Sequence, residues 1–168
     1  MRTFALLKPE IVTYPSLCWQ VLEKTLTAGL EVTRARKTTL TLAEAGKLYA
    51  AHKDKFFYER LIRHITSGPV IALELQTGDS TGGDPVARWR QLLGPTKVYR
   101  TAYESPNSLR GAFGLTDTRN VGHGSDSPQS VADESALFFD TLTPTNDDAC
   151  RPSKSDLFQL IFGDLHQQ

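Results

Sequence analysis

Cysteine is nearly absent from this sequence: Cys18 and Cys150 are the only two among 168 residues. Two thiols cannot by themselves define a disulfide framework or a metal cluster, so a reduced compartment is the simpler expectation, and neither is assigned to catalysis. Net charge is absent too, with 19 Lys plus Arg against 19 Asp plus Glu. That removes any global electrostatic case for a nucleic-acid or membrane-surface partner. No apolar run approaches the roughly 18 residues of a membrane span. A strand-like segment, Thr3-Phe4-Ala5-Leu6-Leu7, begins almost at once; it leaves no room for a presequence and points to the cytoplasm. No internal repeat breaks the chain up, and one domain of this size buries on the order of two-thirds of its unfolded surface.

The charge that is present is unevenly placed. From Asp84 to His123 six basic residues face three acids, whereas from Gly124 onward two face eight. The middle segment is suited to receive an anion, although an acidic, solvated tail gives the same split.

Local patterns predict the elements. The first strand runs into Lys8-Pro9, and Leu17, Val21, Leu22 and Leu26 fall near helical spacing ahead of Gly29. Leu30-Glu31-Val32-Thr33 alternates as a half-buried strand does. Thr41-Leu42-Ala43-Glu44 is a capping box and starts a helix. A further helix over 57–67, stopped by Gly68-Pro69, precedes a buried strand over 70–75. Residues 77–84 read as a surface loop leading to Pro85 at the first position of a helix that ends near Gly94. The stretch 95–119 shows little periodicity beyond a helical turn after Ser105-Pro106, and a loop of that length in a compact domain is commonly functional. A last strand over 119–123 and a helix from Ser127-Pro128 to about Phe139 complete the set. This order belongs to the α+β class, as a ferredoxin-like βαββαβ sandwich with helices covering an antiparallel sheet. Residues 1–140 form the domain and 141–168 an extension, in which the apolar 157–162 segment could dock.

The densest polar cluster is Arg119-Asn120-Val121-Gly122-His123-Gly124-Ser125-Asp126. A histidine between two glycines has little bulk beside its ring, so a phosphate could approach closely, and a neutral imidazole is a competent nucleophile near pH 7. A polar turn with a structural histidine fits the same residues. Asn120, His123, Gly124, Ser125 and Asp126 match the Asn-x-x-His-Gly-Ser-Asp signature, and on them the sequence resembles the nucleoside diphosphate kinase family. The resemblance covers about residues 2–140, including Ser67-Gly68-Pro69-Val70, Leu93-Gly94-Pro95-Thr96 and Ser108-Leu109-Arg110-Gly111. Lys53-Asp54-Lys55-Phe56-Phe57-Tyr58 and the run from Gly111 to Asn120 resemble the divergent sixth type within that family. The other histidines, His52, His64 and His166, lack such surroundings.

The resemblance implies a ping-pong transfer of a γ-phosphate from a nucleoside triphosphate to a nucleoside diphosphate through phosphohistidine at His123. It implies Glu134 as holder of the unreactive imidazole nitrogen, Ser125 as helper and Tyr49 beside the transferred group. Arg90, Thr96 and Arg110 match phosphate ligands, Lys8 with Asn120 the pair reading the ribose hydroxyls, and Phe57 the aromatic that stacks on the base. Each has a plain alternative: a surface helix charge for Arg90, a turn residue for Thr96, a core aromatic for Tyr49 and Phe57, a solvated helix glutamate for Glu134. Mg²⁺ is implied as the phosphate-bridging cofactor, with Asp126 reaching it through water or, equally, serving as a helix cap.

Two departures matter. Asp117 stands where the family has an apolar residue opposite the stacking aromatic, which leaves base preference open. The loop between Thr96 and Arg110 is about three residues longer than in common members, and it ordinarily helps build their trimer-based hexamers; homo-oligomer assembly therefore does not carry over. The competing reading is a nearly inactive kinase-like binding or regulatory subunit that needs a protein partner. The basic residues are spaced for one phosphate cleft and make no nucleic-acid stripe. The sixth-type likeness leaves a mitochondrial association open.

Overall fold

The computed structural model describes residues 1–78, 82–139 and 151–163. Cys150, His166 and the tip of the 77–84 loop lie outside the described residues. The chain runs β1 (Arg2–Leu7), α1 (Pro9–Val12), α2 (Pro15–Thr27), β2 (Leu30–Thr38), α3 (Leu42–Leu48) and α4 (Tyr58–Ile65). It continues through β3 (Val70–Thr77), α5 (Pro85–Leu93), α6 (Val98–Glu104), α7 (Leu109–Phe113), β4 (Gly122–Gly124), α8 (Pro128–Phe138) and α9 (Lys154–Phe162). The strands pair antiparallel in the order β2-β3-β1-β4. This is the ferredoxin-like α+β sandwich.

Residues 4–7 of β1 read as an unbroken apolar run because both faces of the sheet are covered. Ala5 and Leu7 join Ile71, Leu73 and Leu75 in one core, packed under Cys18, Val21 and Leu22 of α2 and Trp89 and Leu93 of α5. Phe4 and Leu6 join Val70 and Ala72 in the other, under α3, α4 and Phe138 of α8. Cys18 is an inert part of the first core, its thiol pushed up to about 12 by burial. Phe4 stacks on Phe138 at 5.1 Å, an arrangement that adds roughly 0.5–1.5 kcal/mol beyond the area it buries. The stack seats the end of α8 beside β1.

The helix starts follow local rules. Thr41 and Glu44 close the capping box, Asp84 accepts from the Val86 amide ahead of Pro85, and Ser127 accepts from the Ser130 amide. β2 extends past Thr33 to Thr38, and a bulge between Val32 and Arg34 explains why its alternation fades. The shift turns Arg34 and Arg36 onto the α8 face. Arg34 lies 3.5 Å from the buried Glu74, and Arg36 Nη1 donates to Phe138 O at 2.8 Å.

Residues 95–119 hold two helices where one turn is expected. α6 buries only Val98 and Thr101 and leaves Tyr99 and Tyr103 exposed, so it has no apolar stripe to read. The last strand is three residues, not five, because Asn120 and Val121 are used in a tight turn before it. α9, with Leu157 and Ile161 buried, docks on α2, where Phe158 meets Trp19 at 5.4 Å.

Candidate active site

The edge strand β4 sets out the central side chain. Leu6 of β1 pairs with His123, which places the imidazole on the α8 face of the sheet. The two flanking glycines serve packing: a Cβ on Gly122 would sit 2.8 Å from Leu6 O, and one on Gly124 would sit 2.5 Å from Trp89 Nε1. Trp89 Nε1 donates to His123 O at 3.1 Å through that gap. Both glycines are thus needed for β4 to lie against β1 and the indole, whatever room they also leave beside the ring.

His123 Nε2 and Glu134 Oε2 are 2.9 Å apart, and Ser125 Oγ donates to the same oxygen at 2.6 Å. An ionised carboxylate only accepts, so the imidazole proton is on Nε2 and the lone pair on Nδ1. Glu134 comes from α8, held by Ser127 at its start and Phe138 at its end. The ring of Tyr49 stands edge-on to His123 at 5.9 Å. Burial, then the Glu10 and Glu134 charges, push its phenol well above the ordinary value and keep it a donor.

A cleft of about 360 Å³ opens beside His123. Lys8, Tyr49, Phe57, Thr96, Arg110, Asp117 and Asn120 line it with His123, so eight of the twelve candidate residues meet there. Lys8 Nζ donates to Asn120 Oδ1 at 2.7 Å and to Thr118 O at 2.9 Å. Burial, with Arg110 nearby, lowers the Lys8 ammonium to about 8 against the pull of Glu10. Arg110 is 8% exposed and donates to three backbone carbonyls: Nε to Asn120 O, Nη1 to Gly94 O and Nη2 to Gly122 O. Burial, then Arg90, lowers it to about 10.

Glu134 and Ser125 stand behind the imidazole, outside the lining. Arg90 is exposed on α5 and outside the lining as well, although its charge is felt at both Arg110 and Asp126. Asp126 is exposed and accepts from Ser130 Oγ at 2.8 Å; the Ser130 and Ser127 hydroxyls hold its carboxyl below the ordinary range. The helix cap is Ser127, so the capping alternative for Asp126 is corrected.

His52 was set aside in the sequence, yet it lines the cleft 5.8 Å from Phe57 and 6.1 Å from Tyr49. Arg60 and Leu61 line it too. Only their position on the Phe57 side of α4, one turn along, could have marked them.

Asp117 lines the cleft with its Oδ1 accepting from the Val98 amide at 3.1 Å, at the start of α6. It is a helix cap supplied from a distance. Asp117→Val is expected to lower stability by about 0.5–2 kcal/mol by orphaning that amide, with Asp117→Asn near wild type, in a urea titration followed by fluorescence.

A family model described as nucleoside diphosphate kinase matches residues 1–143. Nucleoside diphosphate kinase 6 of Mus musculus is 41% identical over 137 residues, 82% of this chain and 70% of the relative. The nucleoside diphosphate kinase of Moorella thermoacetica is 40% identical over 138 residues, 82% of this chain and 93% of the relative. Among solved structures, the Aquifex aeolicus nucleoside diphosphate kinase superposes with a TM-score of 0.76 at 30% identity, covering 84% of this chain and 96% of that one. The Halobacterium salinarum nucleoside diphosphate kinase, solved in complex with CDP, gives 0.73 at 33% identity over 83% and 88%.

Proposed function

The chain belongs to the nucleoside diphosphate kinase family, and we propose that it transfers the γ-phosphate of a nucleoside triphosphate to a nucleoside diphosphate by way of phosphohistidine at His123. The observation that carries this is the Nε2 bond to Glu134, which leaves the Nδ1 lone pair for the cleft that Lys8, Tyr49 and Arg110 line. In the first half-reaction Nδ1 attacks the γ-phosphorus, the bond to the β,γ-bridging oxygen breaks, and the diphosphate leaves. In the second, a terminal oxygen of another diphosphate attacks the phosphohistidine and the N–P bond breaks. Glu134 keeps the proton on Nε2 in both and offsets the positive ring of the intermediate. Arg110 supplies positive charge where negative charge gathers, Lys8 adds its own below about pH 8, and Tyr49 can donate to a phosphoryl oxygen.

Phe57 is the platform for the base, Lys8 and Asn120 the readers of the ribose, Thr96 a hydroxyl donor and Arg90 an outer cation at the phosphate end. Every one of these side chains comes from residues 1–140. Family members generally use Mg²⁺, which would supply charge neutralisation at the phosphates. Asp126 would reach it through water; among the described residues no group of three His, Cys, Asp or Glu forms a metal cage of its own.

A second reading, a nearly silent kinase-like subunit acting with a protein partner, is supported by Asp117 in the wall where the base would sit. Incubation with γ-labelled ATP and Mg²⁺ tests both. Acid-labile, base-stable label on the full chain is the expected result, and an unlabelled chain would leave only the silent subunit. No helix among the described residues is long and apolar enough to cross a membrane.

Lys8 gives the reaction a pH signature. The free protein sheds the Lys8 proton near pH 8, so a dianionic phosphate loses a cationic partner above that value. ADP affinity is expected to fall as pH rises through about 8, and Lys8→Met to bind weakly with no such step, by calorimetry at fixed ionic strength.

A further inference from the structure

Val121, between Asn120 and His123, has φ +78°, the one non-glycine residue of positive φ among those described. A buried, β-branched side chain in that region is strained and persists only where its surroundings hold it. The Gly122 amide donates to Asn120 O at 3.0 Å across Val121, which closes a three-residue turn. Both backbone groups of Val121 are taken by one segment far away in sequence. Its carbonyl accepts from the Lys8 amide at 3.0 Å, and its amide donates to Glu10 Oε1 at 2.9 Å.

Glu10 is well placed to hold that turn. It lies in α1, whose other three residues, Pro9, Ile11 and Val12, are buried, so its backbone is fixed. Its second oxygen accepts from His64 Nε2 at 2.5 Å, and the two side chains are 7% and 10% exposed. His64 belongs to α4, whose N-cap is Phe57. One carboxylate thus ties the helix that starts at the aromatic platform to the turn that presents the imidazole. Burial pushes the Glu10 carboxyl up, but the bonds from His64 and the Val121 amide outweigh it and hold it below the ordinary range. Glu10 is absent from the cleft lining.

We propose that Glu10 is a positioning residue for phosphoryl transfer, locked by His64, that holds the left-handed Val121 turn and so aims His123. The proposal rests on the reading of His123 as the phosphoryl acceptor. Misplacing a reacting group by an ångström costs up to about a hundredfold in rate. Glu10→Ala should therefore slow single-turnover phosphorylation of His123 by about tenfold to a hundredfold, while ADP affinity, measured far enough below pH 8 that Lys8 stays charged without the Glu10 carboxylate, stays within about threefold because no cleft contact is lost. Glu10→Gln keeps an oxygen for the Val121 amide and should recover most of the rate.

A purely structural Glu10 would lower stability and leave the rate per folded molecule unchanged; that result overturns the proposal. So does a parallel fall in rate and ADP affinity. Should Glu10→Ala fail to fold, His64→Ala carries the test, since it frees one Glu10 oxygen and keeps the Val121 bond; a loss of about threefold to tenfold supports the proposal and a wild-type rate overturns it. If the wild type takes no label, the acceptor reading fails separately. The imidazole ¹⁵N resonances of His123 then decide the positioning role: a changed Nε2–H signal in Glu10→Ala supports it, and an unchanged one overturns it.

Discussion

Replacing His123 by alanine is expected to abolish labelling from γ-labelled ATP and to lower steady-state transfer by at least about 10⁴-fold. His123 is the imidazole on the cleft wall held by a carboxylate, through Glu134; His52 also lines the cleft, beside Tyr49 and Phe57, without such a holder. Lys8 and Arg110 are cations, and Tyr49 holds its proton. Binding should survive. Lys8, Asn120, Arg110 and Phe57 stay in place, so ADP should raise the melting temperature of the variant about as much as that of wild type. Stability should change little, within about 1 kcal/mol, because the His123 side chain is one-fifth exposed and Glu134 keeps its bond from Ser125. A variant that still transferred phosphate at a measurable fraction of the wild-type rate would move the nucleophile elsewhere.

What the sequence made legible lies mostly within four residues of its own signal. The Thr41–Glu44 box, Asp84 before Pro85, and Ser127 before Pro128 each start a helix where local chemistry puts it. β1 was readable because two covered faces make a strand apolar throughout. What escaped depends on partners far along the chain. The packing need for Gly122 and Gly124 comes from Leu6 O and Trp89, which lie far off in sequence. His52 has no remarkable neighbours in sequence, and only the turn after α3 swings it between Tyr49 and Phe57. α6 has no stripe, and its cap, Asp117, lies 19 residues on. The twelve candidate residues came from the family resemblance and not from periodicity. The meeting of eight of them in one cleft reflects contacts such as Lys8 to Asn120, 112 residues apart, which no local pattern encodes.

Arg110→Ala is expected to cost about 3–5 kcal/mol, the range for removing one partner from a buried, charged hydrogen-bond network. The guanidinium joins three carbonyls from two segments: Gly94 at the end of α5, and Asn120 and Gly122 on either side of the strained Val121. Truncation takes the guanidinium donor from the Gly94 and Gly122 carbonyls and leaves Asn120 O with the Gly122 amide alone. The free energy is lost where strain is already stored, so Val121 should relax from its left-handed geometry and carry His123 with it. Arg110→Lys separates charge from geometry. A lysine restores a cation for phosphate but offers one nitrogen where the fork offers three, and so reaches at most part of the carbonyl set. It should recover some ADP affinity while remaining about 2–3 kcal/mol less stable than wild type. Urea midpoints and ADP calorimetry on the same two variants check this. Equal stability loss in both would mean the carbonyl fork dominates, whereas full recovery by lysine would mean that only charge matters and that the three carbonyls are satisfied without Arg110.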